Sequence, residues 1–205
     1  PVPCYPPDPR SREQVMRIGV LASEAGARVA LTSTQFRWAQ RLASVSTLLS
    51  SSRPIWPELS WHTTDDVKTG AFPAQRHRAP SSEVAFLQYT SGSTSAPRGV
   101  ALTFANLQHQ LDLNARVLRL GPASRSVFWV PQYHDLGLVS GICSAVYGNG
   151  HFYAMSPLAF LSRPAVWAEV LTRTRATHTA SPHFGYALLL RKTTPEQRAR
   201  LDLSH

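Results

Sequence analysis

The chain has 205 residues, of which 43% are hydrophobic and 16% charged, a balance typical of a folded globular protein rather than a disordered one. Its net charge of +9 comes almost entirely from scattered arginines, without an aromatic-and-basic or helix-turn-helix pattern, so we expect no nucleic-acid partner. No apolar run reaches the roughly 18 residues of a membrane span, no signal peptide opens the chain, and two cysteines are too few for a disulfide framework. These features predict a cytoplasmic protein.

The first third of the chain predicts two helices around one short strand. Apolar residues at helical spacing predict a helix over 11–27, and the apolar run 28–31 predicts a strand. A second helix is expected near 34–49. The polar, proline-containing segment 69–83 predicts a loop and the best internal boundary of the chain.

From residue 84 onward, apolar runs alternate with amphipathic stretches. The expected strands are 84–89, 126–130, 152–155 and 177–180. The first expected helix begins at Thr103, which is placed to cap it. Further helices are expected near 136–147, near 164–174 and at the end of the chain. Alternation of this kind predicts an α/β fold with a largely parallel sheet flanked by helices.

The segment 90–99 (TSGSTSAPRG) lies between an expected strand and an expected helix. Glycines let backbone N–H groups approach a phosphate closely, and the segment adds several hydroxyl donors and the cation of Arg98. It is neither a Walker A loop, nor a G-x-G-x-x-G fingerprint, nor a G-x-S-x-G nucleophile elbow. The residues alone therefore leave open both a phosphate-binding loop and an ordinary solvated turn.

The same segment resembles the phosphate-binding signature of the adenylate-forming superfamily, which includes acyl-CoA synthetases, peptide-synthetase adenylation domains and luciferases. Two positions depart from that signature: Ser95 stands where glycine is usual, and Arg98 where lysine is usual. The resemblance implies that the phosphates of ATP, with Mg²⁺, are bound by Thr90, Ser91, Gly92, Ser93, Thr94, Arg98 and Gly99.

Three further runs, 86–94, 130–138 and 156–167, are similar to the fatty acyl-AMP ligase branch of that superfamily. The resemblance implies ATP-dependent conversion of a fatty acid to an acyl-adenylate with release of pyrophosphate. It also implies that the acyl group then passes to an acyl carrier protein or polyketide synthase. An acyl-CoA ligase of the same superfamily remains an alternative.

His134, in the run 131-PQYHD-135, resembles the histidine that the family places near the substrate carboxylate, which implies a catalytic role. Asp135 has the alternative of simply capping the next helix. His178 and His183 lack a third ligand, so we expect no metal site in the chain itself.

The resemblance lies within the large N-terminal domain of such an enzyme, and we expect residues 1–205 to be an incomplete AMP-binding domain. The family's adenine-contacting segments, its hinge and its lysine-bearing C-terminal domain are not found in this sequence. We therefore expect the 205 residues alone to be inactive. A truncated, non-catalytic remnant is the second alternative.

Overall fold

The computed structural model describes residues 1–46, 56–65, 78–90 and 98–205. The chain forms two compact units. The smaller unit consists of residues 2–79 and 89–100, and the larger unit of Pro1, 80–88 and 101–205. Residues 69–77 of the predicted boundary loop lie outside the described residues, and that boundary stays a prediction.

The described residues alternate between helices and short strands. The helices are α1 (Arg12–Glu24), α2 (Thr34–Ser46), α3 (Phe104–Val117), a π-helix (Leu136–Cys143), α4 (Ser144–Tyr147), α5 (Pro157–Ser162), α6 (Ala165–Thr174), α7 (His183–Lys192) and α8 (Pro195–Arg198). The strands are β1 (Val29–Thr32), β2 (Ser60–Thr63), β3 (Val84–Thr90), β4 (Arg98–Thr103), β5 (Arg125–Phe128) and β6 (His151–Ala154). The predicted α/β class is confirmed. Among the described residues, no helix is both long and apolar enough to cross a lipid bilayer.

In the smaller unit, β1 and β2 form a parallel pair in which Val29 lies opposite Ser60 and Leu31 opposite His62. One face of β1 is open, because Val29 and Leu31 are 54% and 71% exposed. The sequence predicts β1 but not β2. The two apolar side chains of β1 on this face are therefore not covered by any described residue.

In the larger unit, β5 and β6 form a second parallel pair, in which Val127 lies opposite Tyr153. Val127 is fully buried, as is Trp167 of α6, and both belong to one hydrophobic core. Trp129, directly after β5, stacks on Phe160 of α5 with ring centroids 4.0 Å apart. Burying several aromatic side chains in one place makes this core the main source of stability in the larger unit.

The predicted strand at 177–180 is only a single bridge, in which His178 lies opposite Ser126. The side chain of Thr179 donates a hydrogen bond of 2.6 Å to the backbone carbonyl of Val127. The same hydroxyl accepts 3.1 Å from the indole N–H of Trp167. Since a hydroxyl occupies the carbonyl that a strand N–H would need, the strand pairing does not continue.

The helix expected from Thr103 is confirmed, and so is its cap. The Thr103 side chain accepts from the N–H of Asn106, and the Asn106 side chain accepts from the N–H of Thr103. This reciprocal pair satisfies two donors that a helix N-terminus otherwise leaves free. Apolar residues at helical spacing predict one buried face for this helix. Along that face, Leu111 is buried and Leu107 half-buried, whereas Phe104 and Leu118 are exposed.

Candidate functional site

His134 lies in a tight turn that follows directly from the core of the larger unit. Residues 127–130 are buried, and the chain leaves the core at Pro131. The backbone N–H of His134 donates 3.0 Å to the carbonyl of Pro131 and closes the turn. The carbonyl of His134 accepts 2.8 Å from the N–H of Leu138 in the π-helix. A rigid strand end therefore positions the backbone of this histidine.

The imidazole of His134 is half exposed, with 53% of its side chain accessible. Its Nδ1 lies 2.6 Å from Oδ1 of Asp135. The N–H of Leu136 lies 2.7 Å from the same carboxylate oxygen and 3.2 Å from Nδ1. The two contacts to Asp135, at 2.6 Å and 2.7 Å, are both hydrogen bonds when Nδ1–H and the Leu136 N–H donate to its carboxylate. That tautomer leaves a lone pair on Nε2, so the histidine can accept a proton or a hydrogen bond there.

Gly137 allows the π-helix to begin against the turn. A Cβ at this position would clash with the carbonyl oxygen of Pro131 and would lie 2.6 Å from that of Val130. Both atoms belong to the backbone and cannot rotate away. Any side chain at position 137 would therefore push the helix off the His134 turn.

The helix predicted near 136–147 is present, but its first eight residues form a π-helix rather than an α-helix. Its end is set by Ser144, whose hydroxyl donates 2.8 Å to the carbonyl of Val139, five residues earlier. Asn114 of α3 donates 3.0 Å to the same hydroxyl. π-Helices are rare and are found frequently at functional sites. The unusual helix thus directly follows the predicted catalytic histidine.

Gln88, near the end of β3, contacts the same turn. Its Nε2 donates 3.1 Å to the carbonyl of Tyr133. Sequence reasoning missed this residue, although a glutamine within the apolar run 84–89 was a usable signal. A polar side chain in a largely apolar strand needs a hydrogen-bond partner, and here the partner is the turn that carries His134.

The predicted phosphate-binding segment is only partly described. Ser91, Gly92, Ser93 and Thr94 lie outside the described residues, and Thr90 is described only as the last residue of β3. Their role stays a prediction.

The prediction that the loop extends to residue 99 and passes directly into a helix was wrong. Arg98 and Gly99 instead begin β4, which pairs with β3 and ends at the cap of α3. The apolar run 100–102 is compatible with this strand, because valine and leucine favour extended structure when a neighbouring strand is available.

Arg98 is exposed, and the part of the chain that the structure describes gives it no ion pair. Gly99 faces the ring of Tyr89, and a Cβ there would lie 2.9 Å from the ring carbon that bears the hydroxyl. The small size of Gly99 therefore also serves the packing of β4 on β3. Arg98 keeps a guanidinium that is accessible to an anion.

The described residues hold no group of three or more histidine, cysteine, aspartate or glutamate side chains that could bind a metal ion.

The sequence match defines the class of protein to which this α/β chain belongs. Residues 2–205 match the family described as AMP-binding enzyme, and the chain belongs to that family.

Among curated relatives, the chain is 39% identical to the medium-chain-fatty-acid acyl-carrier-protein ligase JamA of Moorena producens, over 99% of this chain and 34% of the relative. It is 32% identical to the probable long-chain-fatty-acid AMP ligase FadD30 of Mycobacterium tuberculosis, over 100% of this chain and 35% of the relative. The fold matches a fatty acyl-adenylate ligase from L. pneumophila, solved with acyl adenylate and pyrophosphate, with a TM-score of 0.83 and 26% identity over 99% of this chain and 34% of that one. The chain thus spans about a third of the length of these relatives, and the predicted superfamily is confirmed.

Proposed function

We propose that the protein containing this chain is a fatty acyl-AMP ligase. Its reaction joins a fatty acid to ATP: a carboxylate oxygen bonds to the α-phosphorus, the bond from that phosphorus to the bridging oxygen breaks, and pyrophosphate leaves. The acyl group of the adenylate then passes to an acyl carrier protein, which in a biosynthetic pathway would serve a polyketide synthase.

The observation that supports this proposal is the likeness along the whole chain. Relatives that match 99% and 100% of its length are named as ligases of medium-chain and long-chain fatty acids. The match includes the segment 86–94, the His134 turn and the segment 156–167, each of which resembles the same branch.

The reaction brings a carboxylate toward a polyphosphate, so charge repulsion must be overcome by neutralisation and positioning. The accessible guanidinium of Arg98 and the hydroxyl-rich segment after β3 suit the β- and γ-phosphates of ATP. Nε2 of His134, with Nδ1–H held by Asp135, suits a position beside the substrate carboxylate. Mg²⁺ would neutralise part of the phosphate charge, and these residues would orient the two reactants.

The test is pyrophosphate release by the whole product of the open reading frame that contains residues 1–205. We expect release with medium- or long-chain fatty acids and not with amino acids or aryl acids, and none from residues 1–205 alone. Release with amino acids only would contradict the proposal. Product analysis with coenzyme A and with a carrier protein then separates an acyl-CoA ligase from an acyl-AMP ligase.

Substitutions of Arg98 test whether the segment acts on phosphates. In the whole protein, Arg98→Ala should cost about 2–4 kcal/mol of transition-state stabilisation, the magnitude of one lost preorganised electrostatic contact. Arg98→Lys should preserve or improve pyrophosphate release, since it keeps the charge in the compact form usual for the family. Ser95→Gly should be neutral or beneficial.

The measurement is the rate of pyrophosphate release at saturating ATP, with Arg191→Ala as an exposed arginine control on α7. If Arg98→Ala matched the parent, the segment would not act on the phosphates, and a non-catalytic remnant would become the better interpretation.

A further inference from the structure

The side-chain amide of Gln88 has a hydrogen-bond partner for its nitrogen but none among the described residues for its oxygen. Its Nε2 donates 3.1 Å to the carbonyl of Tyr133, 45 residues away in the sequence. Its Oε1 is buried and has no hydrogen-bond partner among the described residues. Only the NH₂ group of an amide can donate to a carbonyl, so the contact fixes which way the amide points. The orphaned Oε1 indicates that this orientation is imposed by the bond to Tyr133.

The carbonyl that Gln88 holds belongs to the same peptide group as the N–H of His134. That N–H donates 3.0 Å to the carbonyl of Pro131. Since a peptide group is planar, fixing its oxygen and its hydrogen together fixes the plane. The direction of the Cα–Cβ bond of His134 then depends on that plane and on the next hydrogen bond, from Leu138 to the His134 carbonyl.

The imidazole itself has little packing to hold it, because about half of its surface is accessible. Its contacts to Asp135 and to the N–H of Leu136 are both with the next two residues in the chain, which move with the turn. The bond from Gln88 therefore connects the turn to a residue of β3 that belongs to the same larger unit and is distant in the sequence.

We propose that Gln88 is a positioning residue that sets the direction of the His134 imidazole through the Tyr133 carbonyl. The inference rests on the proposed function, because it deepens the role given there to His134. The chemistry needs a donor of this length: leucine cannot donate, asparagine is one methylene shorter, and an ionised glutamate would place negative charge against a carbonyl oxygen.

The experiment is a double-mutant cycle in the whole protein, with fatty-acid-dependent pyrophosphate release as the readout. Gln88→Leu should lower kcat about 10- to 100-fold, as expected when a reacting group is misplaced, with the KM for ATP nearly unchanged. In a His134→Ala background, Gln88→Leu should have no further effect. The matched control is Gln35→Leu on α2, an exposed glutamine of the smaller unit that should leave kcat unchanged.

Gln88→Glu provides a pH profile that a purely structural role would not produce. A protonated carboxyl can donate to the Tyr133 carbonyl, and an ionised one cannot. Activity of the Gln88→Glu variant should therefore recover toward low pH relative to the parent at the same pH. An activity ratio that stays constant with pH would contradict the proposal.

Hydrogen exchange measured on the whole protein separates this inference from the proposed function. In Gln88→Leu, amides of the segment 131–138 should exchange faster than in the parent, and in Gln35→Leu they should not. Unchanged exchange, or additive effects of Gln88→Leu and His134→Ala, would overturn the positioning role while the ligase activity stands. If Gln88→Leu speeds hydrogen exchange in 131–138 but the parent protein forms no acyl-adenylate, the proposed function is overturned. The link between Gln88 and catalysis is then overturned with it.

Discussion

The two parallel strand pairs differ in what lies over them. In the larger unit, Val127 of β5 is fully buried and Phe128 is 5% exposed. In the smaller unit, the alternate residues of β1 are open, and Leu31 is 71% exposed. Parallel sheets are normally covered on both faces. The comparison indicates that β5 lies in a buried core beside the His134 turn, whereas one face of β1 in the smaller unit is not covered by any described residue.

The largest expected effect comes from removing the central side chain of the covered core. Trp167→Ala should destabilise the larger unit by about 3–5 kcal/mol, since it leaves a cavity beside Phe160 and Trp129. Trp38→Ala in the smaller unit is the matched control, because Trp38 is 59% exposed. Hydrogen exchange of the β5 amides would measure the loss. Equal effects of the two tryptophan substitutions would contradict the comparison.

A smaller effect is expected on the open face of β1. Leu31→Thr keeps a residue suited to a strand and should change the free energy of unfolding by no more than about 0.5 kcal/mol. It should nevertheless reduce concentration-dependent association of the 205-residue chain, because an exposed apolar sheet face favours aggregation. Light scattering against protein concentration would show this. If Leu31→Thr left the association unaltered, a surface other than the open face of β1 would be responsible for it.

The smallest effect on stability is expected from an exposed side-chain hydrogen bond in the larger unit. The hydroxyl of Tyr147 donates to Asp112, and this hydrogen bond is the main cause that lowers the pKa of the Asp112 carboxyl. A lowered carboxyl pKa stabilises the folded state above the ordinary pKa of aspartate, about 3.9, and the gain is lost as the pH falls through the folded value. Tyr147→Phe should lower the Tm slightly at pH 7, with the difference shrinking toward pH 3. A difference that grew on acidification would have the wrong sign.

Local sequence patterns were sufficient to predict those elements whose structure is decided by a few neighbouring residues. Thr103 and Asn106 carry the capping box within four positions, so the start of α3 was predictable. The apolar run at 126–130 likewise identified β5 and the point where the chain leaves the core for the His134 turn. The histidine itself came from the resemblance of 130–138 to a known branch, rather than from spacing.

Other features depend on partners that are distant in the sequence. The strand β2 has only four residues of mixed polarity, and β4 begins with an arginine and a glycine, so neither shows as a strand until its partner is known. The π-helix depends on Ser144 and on Asn114, 30 residues away. The role of Gln88 depends on a carbonyl 45 residues away. Such pairings are tertiary and leave little local pattern.

The π-helix between the His134 turn and α4 has a consequence for how this region tolerates changes in length. A π-helix closes its hydrogen bonds five residues back, one more than an α-helix, so the same stretch accommodates an extra residue. We expect that deleting one residue between Val139 and Cys143 leaves an α-helix in this stretch. Gly137 would keep its place against the carbonyls of Pro131 and Val130, and Ser144 would keep its bond to Asn114 of α3. Homologous proteins that differ by a single residue here should therefore align with their gap inside this helix, and not in the turn that presents the histidine.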